Sequence, residues 1–329
     1  MTALQQNETM EPQQREALRS LRLAWAPTAD DMWHSQGAVH VGGIHDDAMS
    51  DIMDAFSDAA HTADSNPLGV VVRGPAGSGK THLLGQVRER VQEKGGYFFL
   101  VELLDATSFW QSARSGILES LGRPGGTRDT QLKDLLWELS SLAHIPRSDR
   151  RAVIGDEDLT PEILTGFVTA LHKRHRETLR QCHHTLLALV LLGAADLGVQ
   201  DIGEAFLTGT DDLDRGEQTT WELRDPPTSE QECVRDISRL VALAGPTVLA
   251  IDQIDTLIAQ SWQSTESGGE IGDNRDLEHV AHGLMSIRQT MRRTAPVVAC
   301  LPSVWEAIKT RAAGPVRDRF RTPEVLRRA

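Results

Sequence analysis

The sequence predicts an α/β fold: a parallel sheet flanked by helices and interrupted by a large helical insertion. Short apolar runs at 68–72, 97–103, 247–251 and 296–301 lack polar/apolar alternation, as strands buried on both faces do. Segments with apolar residues three and four apart lie between the runs, which is the period of a helical face. The stretch 125–227 reads as helix throughout and separates the second run from the third.

Residues 1–38 are rich in Gln, Glu and Ala, with one amphipathic stretch at Leu18, Leu21, Leu23 and Trp25, and are expected to form a flexible N-terminal arm. Met49, Ile52, Met53 and Phe56 then mark a helix over 46–60. The strand at 68–72 ends in glycines. The next helix carries Leu83, Leu84, Val87 and Val91 and stops at Gly95-Gly96. A strand follows at 97–103, completing a βαβ unit. In the insertion Leu132, Leu135, Leu136 and Leu139 share a face. Thr160-Pro161 opens a further helix, with Thr as cap and Pro in the first turn. The acidic stretch 211–232, with Pro226-Pro227, and the Gly/Ser-rich stretch 264–273 read as connectors. Strands at 247–251 and 296–301 flank a helix over 277–291. The expected organisation is therefore an arm (1–38), a core made of 39–124 with 230–329, and a helical insertion with acidic connector (125–229).

A length of 329 residues suggests about two domains and a core large enough to fold without disulfides. Cys182, Cys233 and Cys300 are odd in number and lack ligand-type spacing, which excludes a disulfide scaffold or zinc ribbon and suggests a reducing cytoplasm. The apolar run 186–192 is far shorter than the roughly 18–20 residues of a membrane span, and the polar N-terminus has no signal-peptide core, so no membrane partner and a cytoplasmic location are expected. The formal net charge of -13 opposes general affinity for nucleic acid, which is possible but not indicated.

Gly74-Pro75-Ala76-Gly77-Ser78-Gly79-Lys80-Thr81 matches G-x-x-x-x-G-K-[ST] between a buried strand and a helix, the context in which such a loop cradles phosphates. Main-chain amides between Arg73 and His82 are expected to wrap a triphosphate, because glycines let backbone approach closely and the helix start adds positive partial charge. Lys80 would reach the β- and γ-phosphates, and the Thr81 hydroxyl would ligate Mg²⁺. The apolar strand 248–251 delivers Asp252 as the acid beside the metal. The next residue, Gln253, can orient a water without taking its proton; Asp255 is the alternative for that task. ATP and Mg²⁺ are thus the expected cofactors.

In order along the chain, GPAGSGKT, VLAIDQID, VVACLPS and PVRDRFR resemble an AAA+-type P-loop ATPase of the class with an additional strand between the two Walker motifs. The wording DQID is similar to the DQxE variant of STAND-type signalling NTPases. The likeness covers about 41–112 and 240–323. It implies that Val41 and Gly42, with Gly43 and Ile44, touch the adenine, although the Arg that relatives carry in this stretch is absent. It also implies that Ser303 senses the γ-phosphate and that Arg319 is an arginine finger reaching a neighbouring subunit's site. The family continues with another strand and a small helical lid. The sequence ends at Ala329 without either in view, so an exposed nucleotide, weak affinity and slow turnover are expected of this chain alone.

Other constellations are weaker. His172, His175, His183 and His184 lack a convincing further metal ligand. Trp110, Trp137 and Trp305 lie on apolar helix faces and read as core. The basic end of the chain, Arg288 through Arg328, is expected to meet a second copy or a partner subunit. The leading expectation is a nucleotide-driven switch or motor subunit that hydrolyses ATP. The alternatives are a non-hydrolysing nucleotide-binding scaffold and, less favoured, a P-loop kinase.

Overall fold

The computed structural model describes residues 30–33, 45–61, 66–103, 109–210, 215–224, 229–255, 272–311, 319–321 and 324–326. After a short turn at Asp31–Trp33 come α1 (Asp46–His61), β1 (Val70–Arg73), α2 (Lys80–Glu93), β2 (Tyr97–Glu102) and α3 (Phe109–Gly122). The helical module comprises α4 (Gln131–Ala143), α5 (Arg147–Val153), α6 (Pro161–Arg174), α7 (Arg176–Leu192), α8 (Leu197–Thr208) and α9 (Arg215–Thr220). The chain returns through α10 (Glu230–Ala244), β3 (Thr247–Asp252), α11 (Gly272–Thr290), β4 (Thr294–Cys300), α12 (Pro302–Arg311) and β5 (Glu324–Val325). The strands form one sheet in the order β2-β3-β4-β1-β5, every pairing parallel. The α/β class and flanked parallel sheet are as the sequence predicts.

Alternate strand residues feed two cores, which is why the strand runs carry no polar alternation. Val70, Val72, Phe98, Leu100, Val248, Ala250, Val297 and Ala299 pack with α1 and α2 on one face. Val71, Phe99, Val101, Leu249, Ile251 and Val298 pack on the other, in a cluster that runs without interruption into α3, the helical module and α10. The run Leu186–Leu191 is buried inside that cluster, so it is an interior helix. Among the described residues no helix is long and apolar enough to cross a membrane.

Edge strand β2 is closed by side chains. Gln131 Oε1 accepts from Phe98 N at 2.9 Å, its Nε2 donates to Phe98 O at 2.8 Å, and Ser120 Oγ accepts from Leu100 N at 3.0 Å. Helix α3 fits against this edge at Gly116, where a Cβ would stand 2.5 Å from Leu100 O. Thr160 caps α6 as expected, accepting from Ile163 N at 3.4 Å.

Four segments make contacts that the sequence alone does not show. Of residues 1–38 the structure describes 30–33, where Met32 and Trp33 are buried, Trp33 lies edge-on to Phe98, and Arg123 pairs with Asp30 at 2.6 Å. The acidic connector is anchored by buried Trp221 and Leu223. A strand does follow Arg319: β5 pairs with β1 in register Val72↔Glu324. Finally, much of the basic end holds the fold together. Arg288 donates to Asn66 O (2.7 Å), Arg293 to Ala242 O (2.7 Å), and Arg321 pairs with Asp58 (2.9 Å). The connector at 264–271 lies outside the described residues.

Candidate functional site

The loop joining β1 to α2 turns twice through left-handed glycine conformations, Gly77 at φ 75° and Gly79 at φ 84°. Side chains rarely adopt these angles, so the spacing of the glycines follows from the path of the loop. Gly74 has a different reason: a Cβ there would fall 2.2 Å from Ser78 Oγ. Ser78 N closes the turn onto Pro75 O at 3.2 Å, Ala76 and Gly77 are exposed, and His45 Nε2 meets Ser78 O at 2.9 Å. Lys80, Thr81 and His82 open α2, where main-chain amides lie at the positive end of the helix dipole beside the loop. His82 is further tied to Gln86 at 2.9 Å.

The Lys80 ammonium folds over the loop, donating to Gly74 O (2.9 Å) and Pro75 O (3.4 Å), with Asp255 Oδ2 at 4.0 Å. Strand β3 brings Asp252 to the same place, since β4 alone separates it from β1. Thr81 Oγ1 donates to Asp252 Oδ2 at 3.3 Å, while Asp252 Oδ1 accepts from Gln253 N at 2.8 Å. Asp252 is 9% exposed, and burial pushes its carboxyl above the usual carboxylate range, more than the Gln253 amide, Lys80 and Thr81 pull it down. Asp255 accepts from Leu301 N at 2.8 Å and is likewise raised by burial.

Two of these groups, Thr81 and Asp252, have the chemistry of divalent-cation ligands. A hydroxyl and a carboxylate at hydrogen-bonding distance are hard oxygen donors of the kind Mg²⁺ takes, and a divalent ion would relieve the desolvated charge on Asp252. Two protein ligands suffice for a metal that keeps phosphate and water oxygens. Among the described residues no group of three or more His, Cys, Asp or Glu is placed to hold a metal ion by itself. The buried Ser78 Oγ, turned in against Gly74, has no hydrogen-bond partner among the described residues.

The remaining predicted residues scatter. Ser303 is exposed in the first turn of α12, just beyond β4. Arg319 lies at the far end of the sheet: its carbonyl accepts from Gly69 N at 2.8 Å, before β1 begins, and its guanidinium donates to Met285 O. It therefore stands a strand's length from its own chain's loop. Val41 and Gly42 lie outside the described residues. Trp305 is core, whereas Trp110 and Trp137 are only partly buried against it.

Glu102, which the sequence reading passed over, ends β2 in register with Asp252, and Gln253 Nε2 donates to its Oε1. Its carboxyl is raised by burial first and by the charge of Asp252 second. An acid closing an apolar strand was the available signal, the same one that picked out Asp252. The chain matches no protein-family model, no curated protein and no solved structure.

Proposed function

We propose that the chain binds ATP with Mg²⁺ at the 74–81 loop and hydrolyses it, as a nucleotide-driven switch or motor subunit of AAA+ type. The observation that carries this reading is the convergence of Lys80, Thr81 and Asp252, from two separate strand ends, on one glycine-shaped loop. Lys80 would exchange the carbonyls of Gly74 and Pro75 for phosphate oxygens. Thr81 and Asp252 would hold Mg²⁺, which neutralises phosphate charge when bound. Gln253 or Asp255 would orient the attacking water. The position of β4 between β1 and β3 supports the additional-strand class. Arg319, remote from its own loop, suits a contribution to a neighbour's site.

The test is binding and turnover together. ATP with Mg²⁺ at about 100 times Kd should stabilise the protein by ~2.7 kcal/mol, and inorganic phosphate should be released only when Mg²⁺ is present. Lys80→Ala should lose both effects. If the mutant keeps the full stabilisation, the loop is not the site.

One observation favours the non-hydrolysing scaffold: neutral Gln253 follows Asp252 and is tethered to Glu102. Nucleotide-dependent stabilisation without phosphate release, at high protein concentration, would decide for it.

A further inference from the structure

The hydrolytic reading lacks a carboxylate directly after Asp252, because Gln253 can align a water but has no charge of its own to hold it. An amide is also ambiguous. One end donates and the other accepts, and its partner decides which faces outward. The partner here, when ionised, only accepts. Strands β2 and β3 run in register from Tyr97↔Thr247 to Glu102↔Asp252, so Glu102 arrives level with the metal-side acid, and its Oε1 takes the Gln253 Nε2 proton.

The backbone is committed to the same arrangement. Gln253 sits at φ 62°, a left-handed conformation that strains a residue with a Cβ and persists where the surroundings impose it. Its main-chain N–H is meanwhile held by Asp252 Oδ1 at 2.8 Å. Among the described residues no cation pairs with Glu102, so an ordinary surface salt bridge does not explain the acid's presence.

We infer that Glu102 is a positioning residue for hydrolysis: it clamps the Gln253 amide nitrogen, so that the amide carbonyl oxygen is presented to the attacking water. The inference rests on the ATPase reading above. The strand next to β3 thereby supplies the charge that the residue after Asp252 lacks, acting through an amide and not on the water directly.

The experiment uses the full chain with Mg²⁺-ATP and compares wild type, Glu102→Gln and Glu102→Asp. A Gln at 102 can accept or donate, so the 253 amide is free to flip. The expected loss in kcat is about 10- to 100-fold, the scale of a displaced reacting group, with KM for ATP and binding of a fluorescent ATP analogue within about twofold. Glu102→Asp keeps an anionic acceptor at the end of the same strand and should retain more of kcat than Glu102→Gln. An unchanged kcat in Glu102→Gln overturns the inference. So does a parallel fall in analogue affinity and melting temperature, which would mark a structural role, and so does a kcat in Glu102→Asp no higher than in Glu102→Gln. If wild type binds the analogue in a Lys80-dependent manner but never releases phosphate, both this inference and the hydrolytic reading fail while the cradle stands. If it does not bind at all, the cradle falls too.

Discussion

Gly74 and Gly77 lie in one loop and should respond differently to the same substitution. Gly74→Ala places a methyl against Ser78 and must distort the loop, whereas Gly77→Ala meets nothing within 4 Å and carries only the strain of φ 75°. Nucleotide affinity should fall sharply in the first and about tenfold or less in the second, where the cost is about 1 kcal/mol; titration with a fluorescent ATP analogue separates them. Asp252 invites a prediction of opposite sign for stability and function. Its carboxyl, like those of Asp255 and Glu102, is raised in the folded chain, so the fold binds these protons more tightly than the unfolded chain does. Stability is therefore lost as pH climbs from the unfolded carboxylate pKa through the raised folded values, and the penalty is complete above them. Asp252→Asn should melt higher than wild type at neutral pH without nucleotide, converge with it in acid, and lose Mg²⁺-dependent phosphate release. Melting curves at several pH values check this. The loop and Asp252 were legible in the sequence because local spacing defines them. Glu102 was not, because its partner is chosen by strand register across 150 residues of intervening chain, roughly, and no local pattern encodes that.

At the level of elements, β2 depends on α3 and α4 to complete its hydrogen bonding. Gln131→Ala removes the partner of both Phe98 N and Phe98 O, and leaving buried main-chain groups unpaired should cost about 1–3 kcal/mol in chemical denaturation. Gln131→Glu should be damaging as well, since Phe98 O then faces an acceptor. Strands β1 to β4 could be read from the sequence because burial on both faces leaves an apolar run. The two-residue β5 could not, since a pair of residues has no period and its pairing to β1 is set by Phe320 bridging to Gly69. The docking of Trp33 on Phe98 escaped for a similar reason: a single aromatic in a polar stretch reads the same whether it anchors or dangles.

For the molecule as a whole, the second face of the sheet and the helical module share one apolar cluster, so the module should not melt by itself. Far-UV circular dichroism and tryptophan fluorescence are expected to report one coincident transition. The thiols offer an independent probe. Cys182, Cys233 and Cys300 are buried, and burial pushes each up to about 12. Alkylation at pH 8 should therefore track global opening, not local exposure. The insertion was visible as a long helical detour, but its fusion with the sheet was not, because helix periodicity gives the buried stripe and not the surface that covers it. The closed margin of β2 has one more consequence. With Gln131 and Ser120 occupying the ladder positions, another copy finds no main chain there to continue, so filament growth by sheet extension is blocked on that flank. Self-association on that flank would have to run through side chains, and should loosen with salt or dilution well before the fold does.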